Sequence, residues 1–189
     1  YTQTGKLAGW IKGVHLNEVG RLQASTLADN LAIYPIKYIY SSPLVRALET
    51  ARPIASSKNL NVLKCTQIGE VRYGQWQGKS LRLLRRRKLW DQIQNVPSLS
   101  SFPDGESIRY AQSRAVGAVE KILVKHPKSC IVLVSHADVI NLILAHYMGL
   151  ALDFYQRIVV DTASISELYI SYDGVKVIRI NQTTKVSIK

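Results

Sequence analysis

Apolar positions along the chain switch several times between helical spacing and short continuous or alternating runs. From Glu18 to Ile33 the stripe Val19, Leu22, Leu27 and Leu31 predicts an amphipathic helix, with Asn17 as its N-cap and Pro35 beyond its end. Lys37 to Tyr40 is short and β-rich. Ser42 followed by Pro43 predicts the start of a helix that runs to about Lys58. Asn59 to Lys64 reads as the next strand, and Gly69 to Gly78, with three glycines and no periodicity, as a loop. Lys79 to Val96 predicts a basic helix, Pro97 to Gly105 a connection, and Glu106 to Lys125 a long helix. Ser129 to Ser135 is nearly all apolar and β-branched, the pattern of a buried strand. A helix from Ala137 to Met148 follows, stopped by Gly149, and two alternating runs about Asp173-Gly174 predict a hairpin. Helices alternating with strands predict an α/β fold: a three-layer α/β/α sandwich, a mostly parallel central sheet with helices on both faces, and a short helical lid.

The length of 189 residues suits one domain, residues 1–189, with the lid at about 79–104. The composition, 47% hydrophobic and 20% charged, excludes a collagen, a disulfide-stapled miniprotein and a disordered tail. No apolar run is long enough for a membrane-spanning helix, and no signal-peptide pattern opens the chain. Cys65 and Cys130 stand in unrelated contexts, Cys130 reading as a small buried hydrophobe, so a reducing, cytoplasmic setting is expected. The net charge of +12 attracts anions without naming them. Seven cations and no acid lie between Arg72 and Lys88. The run Arg85-Arg86-Arg87-Lys88 reads either as a solvated lid face or as a selector of highly anionic substrates, and Tyr73, Trp76 and Trp90 either as an apolar wall or as packing.

Two segments place polar residues where a strand gives way to a helix: Tyr40-Ser41-Ser42-Pro43-Leu44-Val45-Arg46 and Val134-Ser135-His136-Ala137-Asp138. Ligands of open α/β sheets collect at the carboxyl ends of strands, where helix N-termini offer free N–H groups. Arg46 adds a planar fork matched to phosphate oxygens, and His136 a group able to give or take a proton near neutral pH. Together they describe a site for a phosphoryl group.

Gly5-Lys6-Leu7-Ala8-Gly9-Trp10, Leu16-Asn17-Glu18-Val19-Gly20-Arg21, Ser41 to Ala51, Glu70-Val71-Arg72-Tyr73-Gly74-Gln75-Trp76-Gln77-Gly78, Phe102-Pro103-Asp104-Gly105-Glu106-Ser107 and Ser135-His136-Ala137-Asp138 occur in that order. The series resembles the histidine phosphatase superfamily, also called phosphoglycerate-mutase-like. The resemblance implies attack on phosphorus by a histidine in an Arg-His-Gly motif. It makes Arg46 a phosphate clamp, His136 a donor to the phosphoryl oxygens and Glu70 the general acid and base. It also implies Gly9, Arg72, Tyr73, Ala137 and Asp138 as substrate-binding residues, with Asp138 either meeting the leaving group or favouring the helix N-terminus, and neither metal nor cofactor. The partner it implies is a small phosphorylated substrate, not a membrane.

The Arg-His-Gly motif does not occur in these residues. His15, in a loop, and His126, before Pro127, do not follow a strand at the required place. An apolar strand ending in Arg-His-Gly is therefore expected directly before Tyr1; the alternative is an inactive phosphate-binding relic. About 25 residues separate Gly78 from Pro103, and so small a lid favours a phosphomonoester hydrolase over a mutase-type phosphotransferase. Nucleic-acid binding, suggested by the pI of 9.8, lacks the interleaved aromatic and basic pattern of the usual modules. The C-terminal hairpin offers an edge through which two copies could pair as a homodimer.

Overall fold

The computed structural model describes residues 5–183; the expected domain limits, 1 and 189, and any strand before Tyr1 lie outside them. Helix α1 (Glu18–Leu31) begins where Asn17 Oδ1 accepts the Gly20 N–H at 2.8 Å. Its stripe engages the core only from Ala24 onward, since Val19 and Leu22 remain exposed. Strand β1 (Ile36–Ser41) is central, and α2 (Val45–Lys58) follows it. The expected start of α2 at Ser42-Pro43 is corrected. The Ser42 N–H donates to Val134 O and so prolongs the sheet, which leaves Leu44 as the cap. Asn59 ends α2 in the left-handed region at φ 53°, and β2 (Val62–Lys64) starts three residues later than the sequence suggests.

The three parallel strands are ordered β2-β1-β3, with β3 at Cys130–Val134. Ser41 is level with both Lys64 and Val134, so all three strands deliver their carboxyl ends to one edge. Side chains alternate across the sheet. On one face α1 and α2 pack on Ile39, Val132 and Val134. On the other, Ala118 and Ile122 of α5 (Ile108–Lys125) meet Tyr40 and Leu133. Helix α6 (Ala137–Tyr147) joins that second side through Val139, Leu142 and Ile143. Helices thus cover both faces of a parallel sheet, as an α/β sandwich requires.

Four details differ from the sequence pattern. First, the basic helix is two pieces, α3 (Leu81–Leu84) and α4 (Lys88–Asn95). Arg87 is extended between them, so that Leu84 and Ile93 can both reach the core from a bent lid. Second, the long helix starts at Ile108 behind a Ser107 cap, because Glu106 is held elsewhere. Third, β3 is less buried than its composition implies. Among the described residues it pairs only with β1, and of its five residues only Val134 is buried. Cys130 on it is half-buried, with its thiol pushed up chiefly by burial. Fourth, the hairpin β4 (Ile165–Ser171) and β5 (Gly174–Gln182) forms a separate antiparallel pair and turns at Tyr172-Asp173, one residue early. Among the described residues no helix is long and apolar enough to cross a membrane.

Candidate active site

The level strand ends set the site. Arg46 lies in the first turn of α2, His136 is the residue before α6, and Glu70 follows β2 after one tight helical turn at Thr66–Ile68. These three come together. Arg46 Nη2 lies 3.3 Å from His136 Nδ1 and 3.8 Å from Glu70 Oε2, and it donates to Gly9 O at 3.0 Å. His136 Nδ1 is also 3.8 Å from Glu70 Oε2. On its far side His136 Nε2 meets Ser42 Oγ at 2.8 Å. The arginine beside Nδ1 requires that nitrogen to accept, so Nε2 carries the proton and donates to Ser42. Arg46 Nη1 is buried and has no hydrogen-bond partner.

Burial dominates the electrostatics. It pushes His136 down to about 3, helped by the charges of Arg46 and Arg114, so the ring is neutral at physiological pH. Glu70 is pushed up to about 8 by burial and then by the Asp138 carboxylate, against the Val71 N–H and Arg46, which hold it down. A carboxyl so placed keeps its proton near neutrality and can give it up. Burial lowers Arg46, while Glu70 opposes that shift. Tyr73 O–H donates to Asp138 Oδ2 at 2.6 Å. Burial raises both groups, Tyr73 strongly, and the shared hydrogen bond pulls Asp138 back.

Not every expected residue joins the cluster. Arg72 is exposed, with its guanidinium 4.3 Å over the Trp10 ring. Ala137 is exposed at the start of α6. Gly9 is buried at φ 51°, and a Cβ there would come 2.7 Å from Gln77 Oε1. His15 pairs with Glu49 at 2.6 Å, and buried His126 meets the Tyr40 hydroxyl at 2.8 Å while stacking on Tyr38. Both are committed away from the site. Among the described residues no group of three or more His, Cys, Asp or Glu is placed to hold a metal ion.

Sequence reasoning missed the support beneath Glu70. Arg114 on α5 makes a two-pronged pair with Glu106, through Nε at 2.9 Å and Nη2 at 2.6 Å; the Glu106 side chain is buried and that of Arg114 nearly so, at 10% exposed. Its remaining N–H groups reach the carbonyls of Gln67, Gly69 and Glu70. Glu106 Oε1 also accepts the Arg72 N–H at 2.9 Å, and Trp10 Nε1 donates to Glu70 O at 2.6 Å. Glu106, Trp10 and Ser42 stand inside recognisable motifs, but nothing in the sequence signals Arg114, eight residues from its partner.

A parallel sheet whose strand ends gather an arginine, a neutral histidine and a protonated carboxyl defines an α/β protein with a candidate anion site. Residues 1–183 match the histidine phosphatase superfamily, branch 1. Phosphoserine phosphatase 1 of Hydrogenobacter thermophilus is 31% identical over 170 residues, 89% of this chain and 81% of that protein. YhfR of Bacillus stearothermophilus superposes with a TM-score of 0.90 at 24% identity, over 97% of this chain and 92% of that one. The mycobacterial glucosyl-3-phosphoglycerate phosphatase superposes at 0.88 with 22% identity, over 97% and 94%. At such identities the two structures speak for the fold. The chain belongs to the histidine phosphatase superfamily, and its curated relatives include proteins named as phosphatases.

Proposed function

We propose that this protein hydrolyses phosphomonoesters through a phosphohistidine intermediate. The observation that carries the reading is Arg46: its Nη2 sits among His136, Glu70 and Gly9 O, while its Nη1 is buried and unpaired. A phosphoryl oxygen would satisfy that donor. In the first step a histidine nitrogen attacks phosphorus, the bond from phosphorus to the leaving oxygen breaks, and Glu70 gives that oxygen its proton. In the second step Glu70, now ionised, takes a proton from water as the water oxygen attacks phosphorus, releasing phosphate and restoring the histidine. Arg46 holds the charge on the equatorial oxygens throughout, and His136 donates to one of them once the incoming dianion draws a proton onto Nδ1; two smaller barriers replace one large one.

The nucleophile belongs to a strand ending in Arg-His-Gly, N-terminal to Tyr1. Supporting this, β3 and β4 make no hydrogen-bonded pair with each other among the described residues. Yet Val132 and Ile165 pack against one apolar cluster, and Leu133 and Leu168 against another. The small lid, α3 and α4, suits release to water rather than return of the phosphoryl group to a sugar acid. Both cysteines are free, which fits a reducing cytoplasm.

The test is phosphate release from 4-nitrophenyl phosphate by the native full-length protein, with a chelator present. Turnover should persist, and His136→Ala or Arg46→Ala should lower kcat/KM about 100-fold or more. Variants as active as the wild type would refute the assignment.

A further inference from the structure

The strand order β2-β1-β3 puts β1 between the two strands whose continuations carry Glu70 and His136. Neighbouring strands lie about 4.8 Å apart, so β2 and β3 run roughly 10 Å from each other across β1. Within the sheet the two do not touch. Beyond the end of β1 their continuations converge, and Ser135 Oγ donates to Ile68 O at 2.7 Å. Ser135 immediately precedes His136, and Ile68 lies two residues before Glu70. Ile68 is fully buried, so its carbonyl cannot exchange this partner for bulk water.

A second side-chain bond joins the same two segments further along. Tyr73 O–H donates to Asp138 Oδ2 at 2.6 Å, Tyr73 standing three residues after Glu70 and Asp138 two after His136. The two bonds therefore bracket the Glu70–His136 contact, Ser135 with Ile68 before it and Tyr73 with Asp138 after it. Between these rungs Glu70 Oε2 and His136 Nδ1 are 3.8 Å apart. Other bonds tie each segment to the body of the fold. The Glu70 loop hangs from Arg114 and Trp10, whereas His136 is held by Ser42. The two rungs tie the segments to each other.

We propose that Ser135 is a positioning residue: its hydroxyl holds the Glu70 loop at the distance from His136 that lets the Glu70 carboxyl reach the leaving oxygen. The inference rests on the phosphomonoester reading above and deepens it. Ser135 acts through the backbone of Ile68 and meets neither the phosphoryl group nor the alcohol. Proton transfer needs donor and acceptor within hydrogen-bond reach, and a displacement of about 1 Å is enough to cost on the order of 100-fold. Arg46 is anchored separately, on α2 and on Gly9 O, so loss of the Ser135 rung leaves the phosphate clamp in place.

The test compares two aryl esters of similar shape, phenyl phosphate and 4-nitrophenyl phosphate, on the native full-length protein. Nitrophenolate leaves readily without a proton, whereas phenolate depends on one. The ratio of the two kcat/KM values therefore reads how well Glu70 delivers its proton. Ser135→Ala should lower kcat/KM for phenyl phosphate at least about tenfold more than for 4-nitrophenyl phosphate, a part of what general acid catalysis supplies. Ser135→Thr, which keeps the hydroxyl, should restore the wild-type ratio. Affinity for inorganic phosphate, read by calorimetry, should be unchanged in both variants. Should the alanine variant fail to fold, Ser135→Cys fills the same space with a far weaker donor and should show the same split. A purely structural role would lower both esters alike. Equal losses on the two esters, no loss at all, or a threonine variant that behaves as alanine would overturn the proposal and leave the phosphomonoester reading intact. If the wild type hydrolyses neither ester, that reading falls and this proposal with it.

Discussion

At the scale of single residues, the chemistry depends on two groups that burial moves in opposite directions. Glu70 sits at about 8 and His136 at about 3. A carboxyl raised from 4.5 to about 8 stabilises the fold fully below its unfolded value, and that contribution is lost as pH rises through about 8. His136, lowered from 6.5, contributes stability above its unfolded value that is lost as pH falls through about 3. In the proposed mechanism Glu70 must hold a proton to release the alcohol. The rate of the first step should therefore fall as pH rises through about 8. A pH profile of kcat/KM on the native protein checks this. The limb near 8 should vanish in Glu70→Gln along with most of the activity, and a limb that survives the substitution would assign it to another group. The types and positions of Arg46, Glu70 and His136 are legible in the sequence. Their protonation is not, because it depends on burial by the folded chain and on charges remote along it, Asp138 acting on Glu70 and Arg114 on His136.

At the scale of elements, the loop bearing Glu70 is held from below by α5. Arg114 ties three of its carbonyls to the Glu106 carboxylate, which in turn takes the Arg72 N–H. Gly74 and Gly105 let this loop lie against residues 103–105: a Cβ on Gly74 would come 2.0 Å from Pro103 O, and Gly74 is at φ 51°. Removing one member of a buried pair leaves the other charged and unpaired, so Arg114→Met should lower the unfolding free energy by about 3–5 kcal/mol. Urea unfolding followed by circular dichroism measures this, and a loss below about 1 kcal/mol would mean the strap is not structural. Helix existence is legible in the apolar spacing; helix beginnings are less so. Ser42 stands before the cap because its N–H pairs with Val134 O, its Oγ accepting the Leu44 N–H, and Glu106 leaves α5 because Arg114 competes for it. The lid helix breaks at Arg87 because Leu84 and Ile93 must both point inward. Each of these is a tertiary demand that overrides a local preference.

At the scale of the molecule, 25 basic against 13 acidic residues set up a field that attracts anions, and the level strand ends are where the proposed function has a dianion held. The α/β class could be read from alternating periodicities. A cavity of about 360 Å³ beneath the lid is hidden in the sequence, since its walls come from distant segments such as Trp76, Asn141 and Tyr155. The proposed function rests on Arg46 and His136, 3.3 Å apart, converging on one phosphoryl group. The most direct measurement is calorimetric titration of the native protein with inorganic phosphate at neutral pH and low salt. Saturable one-to-one binding is predicted, weakened roughly tenfold to a hundredfold in Arg46→Gln, the loss expected for a charge-assisted hydrogen bond. Equal affinity in the variant, or no binding by the wild type, would contradict the account.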